Sequence, residues 1–555
     1  MSQELTLAIL AAGKVKSDEY ASIFNTVPAM IPFNGKPLIY QTILDFIKNK
    51  LNRKIYLSLP FGEEHVEQFL HVAFDDRIDL DCIYFQNAHP HCQAETLMGI
   101  FKQMAQKNAA DCPLLVANGD LFYELPETFD AHKVVAFIRE SVLDSHCSHF
   151  CISSQGKVKY FGIEQKPNVV DCEYFTDCGV YYIPSWKDIY ERALGLDDFD
   201  YTVGELLCNL TNGDINLVPL KTWLDLGDLD SAATIATKVL GAREFNQLRV
   251  DERLGLITKS SRNKDKILQE INYYSKLLPE VAIFFPRLYN FEVGKSVSYT
   301  IEYYPYKTLS EYFVMHDLSE RCWIRVFDKI FDIYSNFKSI KGPLPTREGY
   351  DRIYMGKMFD RLEGIRSQDD LYDLTTQDRV IINGTEYLGW KYYIPFIQEI
   401  IHNAYNSCEC SVIHGDMCFS NILYEPSTNT VKFIDPRGEF FEEGIFGDPD
   451  YDIAKLMHSV HGNYDFILHK MYNLEKLGPY DYKFKIIQSP KKTNIRNVFF
   501  SRLRKIYRVV NIQTLLVKEA LLFLSMLPLH KDDLNRQKAF YLTSLMILKE
   551  AKNFC

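Results

Sequence analysis

VIHGDMCFSNILYEP (Val412–Pro426), TVKFIDPRGEF (Thr430–Phe440) and GDPDYDIAKL (Gly447–Leu456) together carry the most specific pattern in the chain. Asp416 follows His414 and Gly415, Asn421 stands five residues further on, and Asp435 ends an apolar, β-like run 14 residues after that. Phosphoryl transfer needs a carboxylate to orient the acceptor and hard oxygen ligands to hold Mg2+ on the nucleotide phosphates. In this order Asp416 positions or deprotonates an acceptor hydroxyl, while Asn421 and Asp435 are oxygen ligands for the metal. A lone HGD tripeptide on a surface loop would mean little; the ordered set of polar residues around an apolar strand is far harder to obtain by chance.

These residues resemble the aminoglycoside phosphotransferase and choline kinase family, with HGDxxxxN as the catalytic loop and IDP standing where protein kinases place DFG. Lys259 in ITKSS and Glu270 in the helical stretch Ile267–Leu278 look like the nucleotide-binding lysine and its helix-borne glutamate. IEYYPYKTL (Ile301–Leu309) resembles the hinge, and Asp452 matches a position that braces the catalytic loop in that family. The resemblance covers residues 245–460 and implies a two-lobed, protein-kinase-like α+β domain that uses ATP and Mg2+. A GxGxxG loop is missing, which leaves phosphate contacts to the main chain of Asn246–Leu256. Arg437 bears on the acceptor: a guanidinium repels a quaternary ammonium and suits a carboxylate, a phosphate or a hydroxyl-rich molecule. Trp390, Tyr392 and Tyr393 read as packing residues rather than as a cation cage.

Upstream, short apolar runs alternate with helical patterns. Leu5–Leu10, Lys54–Leu59, Cys82–Phe85, Pro113–Ala117 and Lys133–Ile138 read as strands and Leu38–Ile47 as a helix, which predicts parallel βαβ units in a doubly wound α/β sheet. Ligands bind such sheets at the carboxyl ends of the strands, so the loops after Leu10 and Ala117 are where chemistry is expected. LAAG (Leu10–Gly13), LLVANGDLFY (Leu114–Tyr123), GIEQKP (Gly162–Pro167), CGVYYI (Cys178–Ile183) and TWLDLGDLDSA (Thr222–Ala232) resemble segments of the sugar-phosphate and phosphocholine nucleotidyltransferases. That resemblance implies a Rossmann-like domain in which Leu10, Ala11, Ala12 and Gly13 approach the nucleotide and Gln86 lies near the base. Asp120 and Asp225 would share the metal, Lys166 would hold the incoming phosphate, and Glu164 a sugar hydroxyl. The pattern departs from that family at Val15 and Ser17, where a glycine and an arginine are expected, and at Val27, Pro28 and Ala29, where a lysine is expected. Lys14 or Lys16 is then left to neutralise the triphosphate.

The boundaries expected are a nucleotidyltransferase-like domain over 1–240, a linker over 241–253 and a kinase-like domain over 254–555, with Ser231–Leu240 as a closing helix. The C-terminal part reads as mainly helical from Glu320 onward apart from one β-like block, Ser411–Phe433. The 555 residues carry a net charge of −11, with 47% apolar and 24% charged residues, which points to a globular protein with no nucleic-acid partner. The basic run between Lys491 and Arg508 reads as a solvated amphipathic helix. The 13 cysteines form no CxxC pair, so a reduced, cytoplasmic setting is expected. The best apolar segment, Ala520–Leu529, is too short to span a bilayer, and no signal peptide is expected.

Taken together, the residues and resemblances imply a bifunctional enzyme. ATP phosphorylates a hydroxyl of a small polar acceptor, and the phosphate is then coupled to a second NTP for capsule or lipooligosaccharide synthesis. Two alternatives stay open: a working kinase regulated by a non-catalytic nucleotide-sugar-binding N-terminal domain, and a non-catalytic scaffold. Homo-oligomerisation is left open by the sequence.

Overall fold

The computed structural model describes residues 5–12, 27–33, 35–49, 53–85, 92–140, 148–153, 156–162, 173–196, 200–225, 246–251, 253–261, 263–294, 297–489, 492, 494–506 and 512–554. The chain divides into two compact units, one within Met1–Ile235 and one formed by Ala236–Gln488 and Lys492–Cys555.

The first unit is built on strand Thr6–Leu10, buried along its whole length. It pairs in parallel with Lys54–Pro60 on one side and Leu114–Asn118 on the other, with Leu7 opposite both Ile55 and Leu115. Asp79–Phe85 extends the sheet beyond Lys54–Pro60, again in parallel. Apolar runs such as TLAIL and LLVAN are what strands covered on both faces require. The chain thus works outward from the first strand and returns on its other side at Leu114, so the strand order reverses between Thr6–Leu10 and Leu114–Asn118. The loops after these two strands flank that switch point, where α/β sheets bind ligands.

Beyond the parallel units the sheet adds antiparallel pairs. Glu173–Ile183 inserts antiparallel between Leu114–Asn118 and Val135–Glu140, and also pairs with His149–Ile152. CGVYYI, expected as a ligand segment, is also core: Cys178 to Ile183 are all buried, with Gly179 held at φ +67°. Helices Trp186–Ala193 and Val203–Leu210 begin at Ser185 and Thr202, whose hydroxyls accept from the Asp188 and Glu205 N–H groups.

The second unit is two-lobed. Its first lobe is an antiparallel sheet in the order Asn246–Asp251, Leu256–Ser261, Val297–Glu302, Leu288–Val293. Asn246–Asp251, expected within the linker, is therefore a structural strand, with Leu248 opposite Lys259. Helix Lys264–Lys276, capped by Asn263, packs on this sheet. The second lobe is mainly helical, but it holds a four-stranded sheet that the sequence reading missed: Thr385–Leu388, Arg379–Ile382, Asp481–Ile486 and Tyr472–Gly478. Arg379–Ile382 meets Asp481–Ile486 in parallel from about a hundred residues away, a pairing that local pattern does not reveal. The basic run forms helix Ile495–Ile506, with Val498, Phe499 and Leu503 buried and Arg502 paired to Asp328.

One correction concerns the apolar segment. Ile512–His530 reaches the length and composition of a membrane span, with mean hydropathy 1.5, where the sequence reading found only a shorter run. Of its apolar window 78% is buried within the protein, and its helix Ile512–Met526 packs against Leu534–Lys552. His461 ties these helices together: Nδ1 lies 2.8 Å from Glu519 Oε2 and Nε2 lies 3.1 Å from Glu550 Oε2. Burial alone would lower the imidazole, but Glu519 and Glu550 outweigh it and hold the group up at about 9.

Because the folded value lies above the usual 6.5, the stability this link adds is complete below about pH 6.5 and is lost as pH rises through about 9. The loss is at most ~3 kcal/mol. Thermal melts of the full chain at pH 6.5 and 9.5 should show a fall in Tm for the wild type and a smaller one for His461→Gln.

Candidate functional site

In the second unit the site is assembled around a turn that begins at His414. Helix Pro449–Val460 starts at Asp448, whose side chain accepts from the Asp450 N–H, with Pro449 in the first turn. That start sets Asp452 one turn in, fully buried, where its carboxylate accepts from the His414 N–H at 2.7 Å and the Gly415 N–H at 2.8 Å. Burial pushes this carboxyl up to about 7, against the two N–H groups that favour the anion. Gly415 sits at φ +77°, and a Cβ there would stand 2.8 Å from Arg437 Cβ, so both backbone and space demand glycine.

His414 is buried and neutral, its imidazole pushed down to about 4 chiefly by burial. Its Nε2 lies 3.0 Å from the Ile434 carbonyl and its Nδ1 accepts from the Asp416 N–H at 3.2 Å, which assigns the Nε2–H tautomer. The ring stacks on Phe285 at 5.9 Å. His414 therefore links the Asp416 turn to the strand that delivers Asp435.

Asp416 is bound on both sides. Asn421 Nδ2 donates to its main-chain oxygen at 2.8 Å and to Oδ2 at 3.0 Å, and Lys455 Nζ lies 2.8 Å from Oδ1. Burial opposes ionisation here, but the Lys455 ammonium wins and holds the carboxyl well below the usual range. A carboxylate so firmly ionised orients a hydroxyl better than it accepts its proton. Because the Asn421 amide nitrogen is spent on Asp416, its Oδ1 is the atom left for a cation. Asp435 adopts φ +55°, a left-handed conformation rare outside glycine, and its Oδ1 lies 2.7 Å from Lys259 Nζ. Asn421 Oδ1 and the Asp435 carboxylate are hard oxygen donors of the kind Mg2+ takes.

Lys259 forms a bridge. Its ammonium donates to both Glu270 oxygens, at 3.1 and 2.9 Å, as well as to Asp435. Burial would lower this lysine, yet Asp435 and Glu270 hold it above its ordinary value. Tyr299 donates to Glu270 Oε2 at 2.7 Å. The helix that carries Glu270 meets the loop after Asp435 backbone to backbone: a Cβ on Gly438 would stand 1.8 Å from the Gln269 carbonyl oxygen. Gln269 also donates to Glu439.

Lys259, Glu270, Asp416, Asn421, Asp435, Arg437 and Asp452 thus fall within one connected network. The sequence reading missed Lys455, which stands three residues after Asp452 on the same helix, a spacing that could have exposed it. It also missed Lys357 and Tyr451; Lys357 comes from the helix Lys357–Glu363, distant in sequence, and carried no signal. Trp390 and Tyr393 are buried, in keeping with a packing role, while Tyr392 is 53% exposed, with the Lys552 ammonium 4.1 Å from its ring centroid.

In the first unit, Ala11 is fixed by its N–H, which donates to the Ser58 carbonyl oxygen at 3.2 Å and to Ser58 Oγ at 3.1 Å. The Gly119 N–H donates to the Leu10 carbonyl at 2.9 Å, and a Cβ on Gly119 would stand 2.7 Å from Ala11 Cβ. The turn at Leu10–Ala12 and the turn that carries Asp120 are therefore in contact. Thr222–Asp225 pairs with Leu121–Glu124, with Asp225 opposite Leu121, so the backbone of Asp225 lies beside the residue that follows Asp120 at one end of a short ladder. Trp223 Nε1 donates to the Cys178 carbonyl at 2.8 Å, which brings CGVYYI to the same place. Gly13, Lys14, Lys16, Gln86, Glu164 and Lys166 lie outside the described residues. Ala29 is 1% exposed, so the position expected to carry a cation holds buried apolar surface instead. No group of three or more His, Cys, Asp and Glu side chains with metal-site geometry occurs among the described residues of either unit.

Neither protein-family models nor curated protein sequences match the chain. Among solved structures, a nucleoside-diphosphate-sugar pyrophosphorylase of Vibrio cholerae is similar over 41% of this chain and 98% of its own, at 14% identity and a TM-score of 0.34. An inositol-1-phosphate CTP transferase from T. maritima is similar over 43% of this chain and 98% of its own, at 10% identity and a TM-score of 0.31. The ADP-bound aminoglycoside phosphotransferase APH(2'')-Ib is similar over 58% of this chain and 99% of its own, at 12% identity and a TM-score of 0.32.

Replacing Asp452 by alanine leaves two buried N–H donors unpaired, a loss of about 2–5 kcal/mol in stability. Urea unfolding should read that loss. Hydrogen exchange at the amides of His414 and Gly415 should accelerate more than at Leu7 or Val116, which lie in the other unit.

Proposed function

We propose that the second unit is a small-molecule kinase and the first a nucleotidyltransferase, so that one chain phosphorylates an acceptor and then activates the phosphate with an NTP. The observation that carries the kinase reading is the Lys259 bridge to Glu270 and Asp435, connected through His414 to a turn that presents Asp416 beside Asn421. Lys259 would hold the nucleotide phosphates, Asn421 and Asp435 would hold Mg2+, and Asp416 would aim the acceptor hydroxyl. The metal supplies charge neutralisation on the phosphates when bound. Lys455 keeps Asp416 ionised and in place, and Asp452 keeps the turn in shape.

For the first unit the support is the ladder that sets Asp225 opposite Leu121, next in the chain to Asp120, after a strand at the switch point of the sheet and beside the close-packed turn at Ala11 and Gly119. Two carboxylates there would carry Mg2+ on an NTP, with Lys166 and either Lys14 or Lys16 facing the phosphates. A cytoplasmic setting and a place in capsule or lipooligosaccharide precursor synthesis go with this reading. The buried Ala29 favours a second reading, in which this unit binds a nucleotide-sugar without turning it over and regulates the kinase.

Phosphorus NMR of the full chain with ATP, Mg2+, the four NTPs and a pool of sugars, polyols, amino alcohols and hydroxy acids tests both. Asp416→Asn should reduce acceptor phosphorylation at least 100-fold and leave pyrophosphate release from supplied phospho-acceptor intact. Asp225→Asn should do the reverse. Loss of both activities from either change would sink the two-site reading, and no pyrophosphate with any NTP would favour the regulatory one.

A further inference from the structure

Beside Asp416 lies a concentration of positive charge of which the phosphoryl-transfer reading uses only Lys455. Lys357 Nζ and Arg437 Nη1 each donate to the hydroxyl of Tyr451, both at 3.1 Å. The ring of Tyr451 is 2% exposed, with Lys357 Nζ 5.6 Å and Arg437 Cζ 5.9 Å from its centroid. Since both cations reach one oxygen, their charges stand within about 6 Å of each other. Lys455, one helical turn beyond Tyr451, is the third cation of the group and is the one paired with Asp416.

The neighbouring carboxylates are already engaged. Asp435 pairs with Lys259, Asp448 and Asp450 with Lys518, and Asp452 with the His414 and Gly415 N–H groups. Among the described residues, neither Lys357 nor Arg437 has a carboxylate within salt-bridge distance. An ammonium has three N–H donors and a guanidinium five, so both keep donors beyond the one given to Tyr451. Arg437 is also firmly seated: its N–H donates to the His414 carbonyl at 2.9 Å and its Cβ packs over Gly415. The local field is strong enough to bring the Tyr451 hydroxyl down to about 8 although burial pushes the other way.

We propose that the acceptor phosphorylated at Asp416 is an anion, a hydroxyl compound bearing a carboxylate or phosphate group that Lys357 and Arg437 hold beside the Tyr451 hydroxyl. This rests on the reading of Asp416 as the kinase carboxylate. It excludes cationic amino alcohols, which two uncompensated cations repel, and gives neutral polyols no partner for the charge. The other source of the same chemistry is the phosphate chain of ATP itself, which an experiment must separate from the acceptor.

Calorimetric titration of the full chain, saturated with Mg2+ and the non-hydrolysable analogue AMP-PNP, makes that separation. D-Glycerate and inorganic phosphate should bind, and glycerol and choline should bind at least tenfold more weakly. Arg437→Gln and Lys357→Met should each weaken glycerate and phosphate at least tenfold and leave AMP-PNP affinity within about twofold. Arg437→Lys, which keeps the charge, should recover most of the binding, and Tyr451→Phe, which keeps both cations, should lose less than about threefold. Absence of anion binding, indifference to the two charge-removing variants, or a loss of AMP-PNP affinity in their place would overturn the proposal. Failure of the wild type to bind AMP-PNP, with anion binding intact, would sink the kinase reading and with it the anion's role as acceptor, leaving an anion site at Lys357 and Arg437.

Discussion

Asp452 takes the N–H groups of His414 and Gly415 onto one buried carboxylate, and the geometry of the second unit's site follows from that clamp. With Gly415 held at φ +77°, the chain leaves the clamp so that Asp416 meets Asn421 and Lys455, while His414 reaches back to the Ile434 carbonyl. The turn is thereby tied to helix Pro449–Val460 on one side and to the strand before Asp435 on the other. A buried carboxylate is an expensive anchor, and two charge-assisted bonds to main-chain N–H groups are what make it tolerable.

Much of this was legible because the chemistry fixes residue types at fixed intervals. His414, Gly415, Asp416, Asn421 and Asp435 lie close in sequence around one strand pair, so the motif and the fold around it are the same information. Lys259 and Glu270 were legible through the family resemblance and the helical stretch around Glu270, while the strand Leu256–Ser261 and the Asn263 cap that position them were not. What escaped was long-range. Lys357 reaches Tyr451 from nearly a hundred residues away, Arg379–Ile382 finds Asp481–Ile486, and Glu173–Ile183 inserts into a sheet whose other strands had a simpler order. Such pairings depend on tertiary packing, which periodicity and spacing do not encode. The missed strand Asn246–Asp251 was hidden by its charged, linker-like composition on an exposed edge.

The two units solve a shared electrostatic problem in different measure. Both would face polyanions within a chain of net charge −11, so positive charge has to be local rather than global. In the second unit it is: Lys259, Lys357, Arg437 and Lys455 converge from four different elements onto one region. In the first, the described residues contribute the close-packed turn at Ala11 and Gly119 and the ladder that sets Asp225 opposite Leu121, next to Asp120, while Ala29 offers no cation.

The contact at Gly438 carries a further consequence. With the Gln269 carbonyl where a side chain would otherwise stand, the helix bearing Glu270 and the loop bearing Asp435 and Arg437 are joined main chain to main chain. The helix cannot swing away from Asp435 without breaking that contact together with the Gln269–Glu439 and Lys259 bonds. The entropy of bringing these groups into register is therefore surrendered when the chain folds rather than when ligands arrive. Whatever binds there meets a site already assembled, so its binding energy is not spent on assembling it.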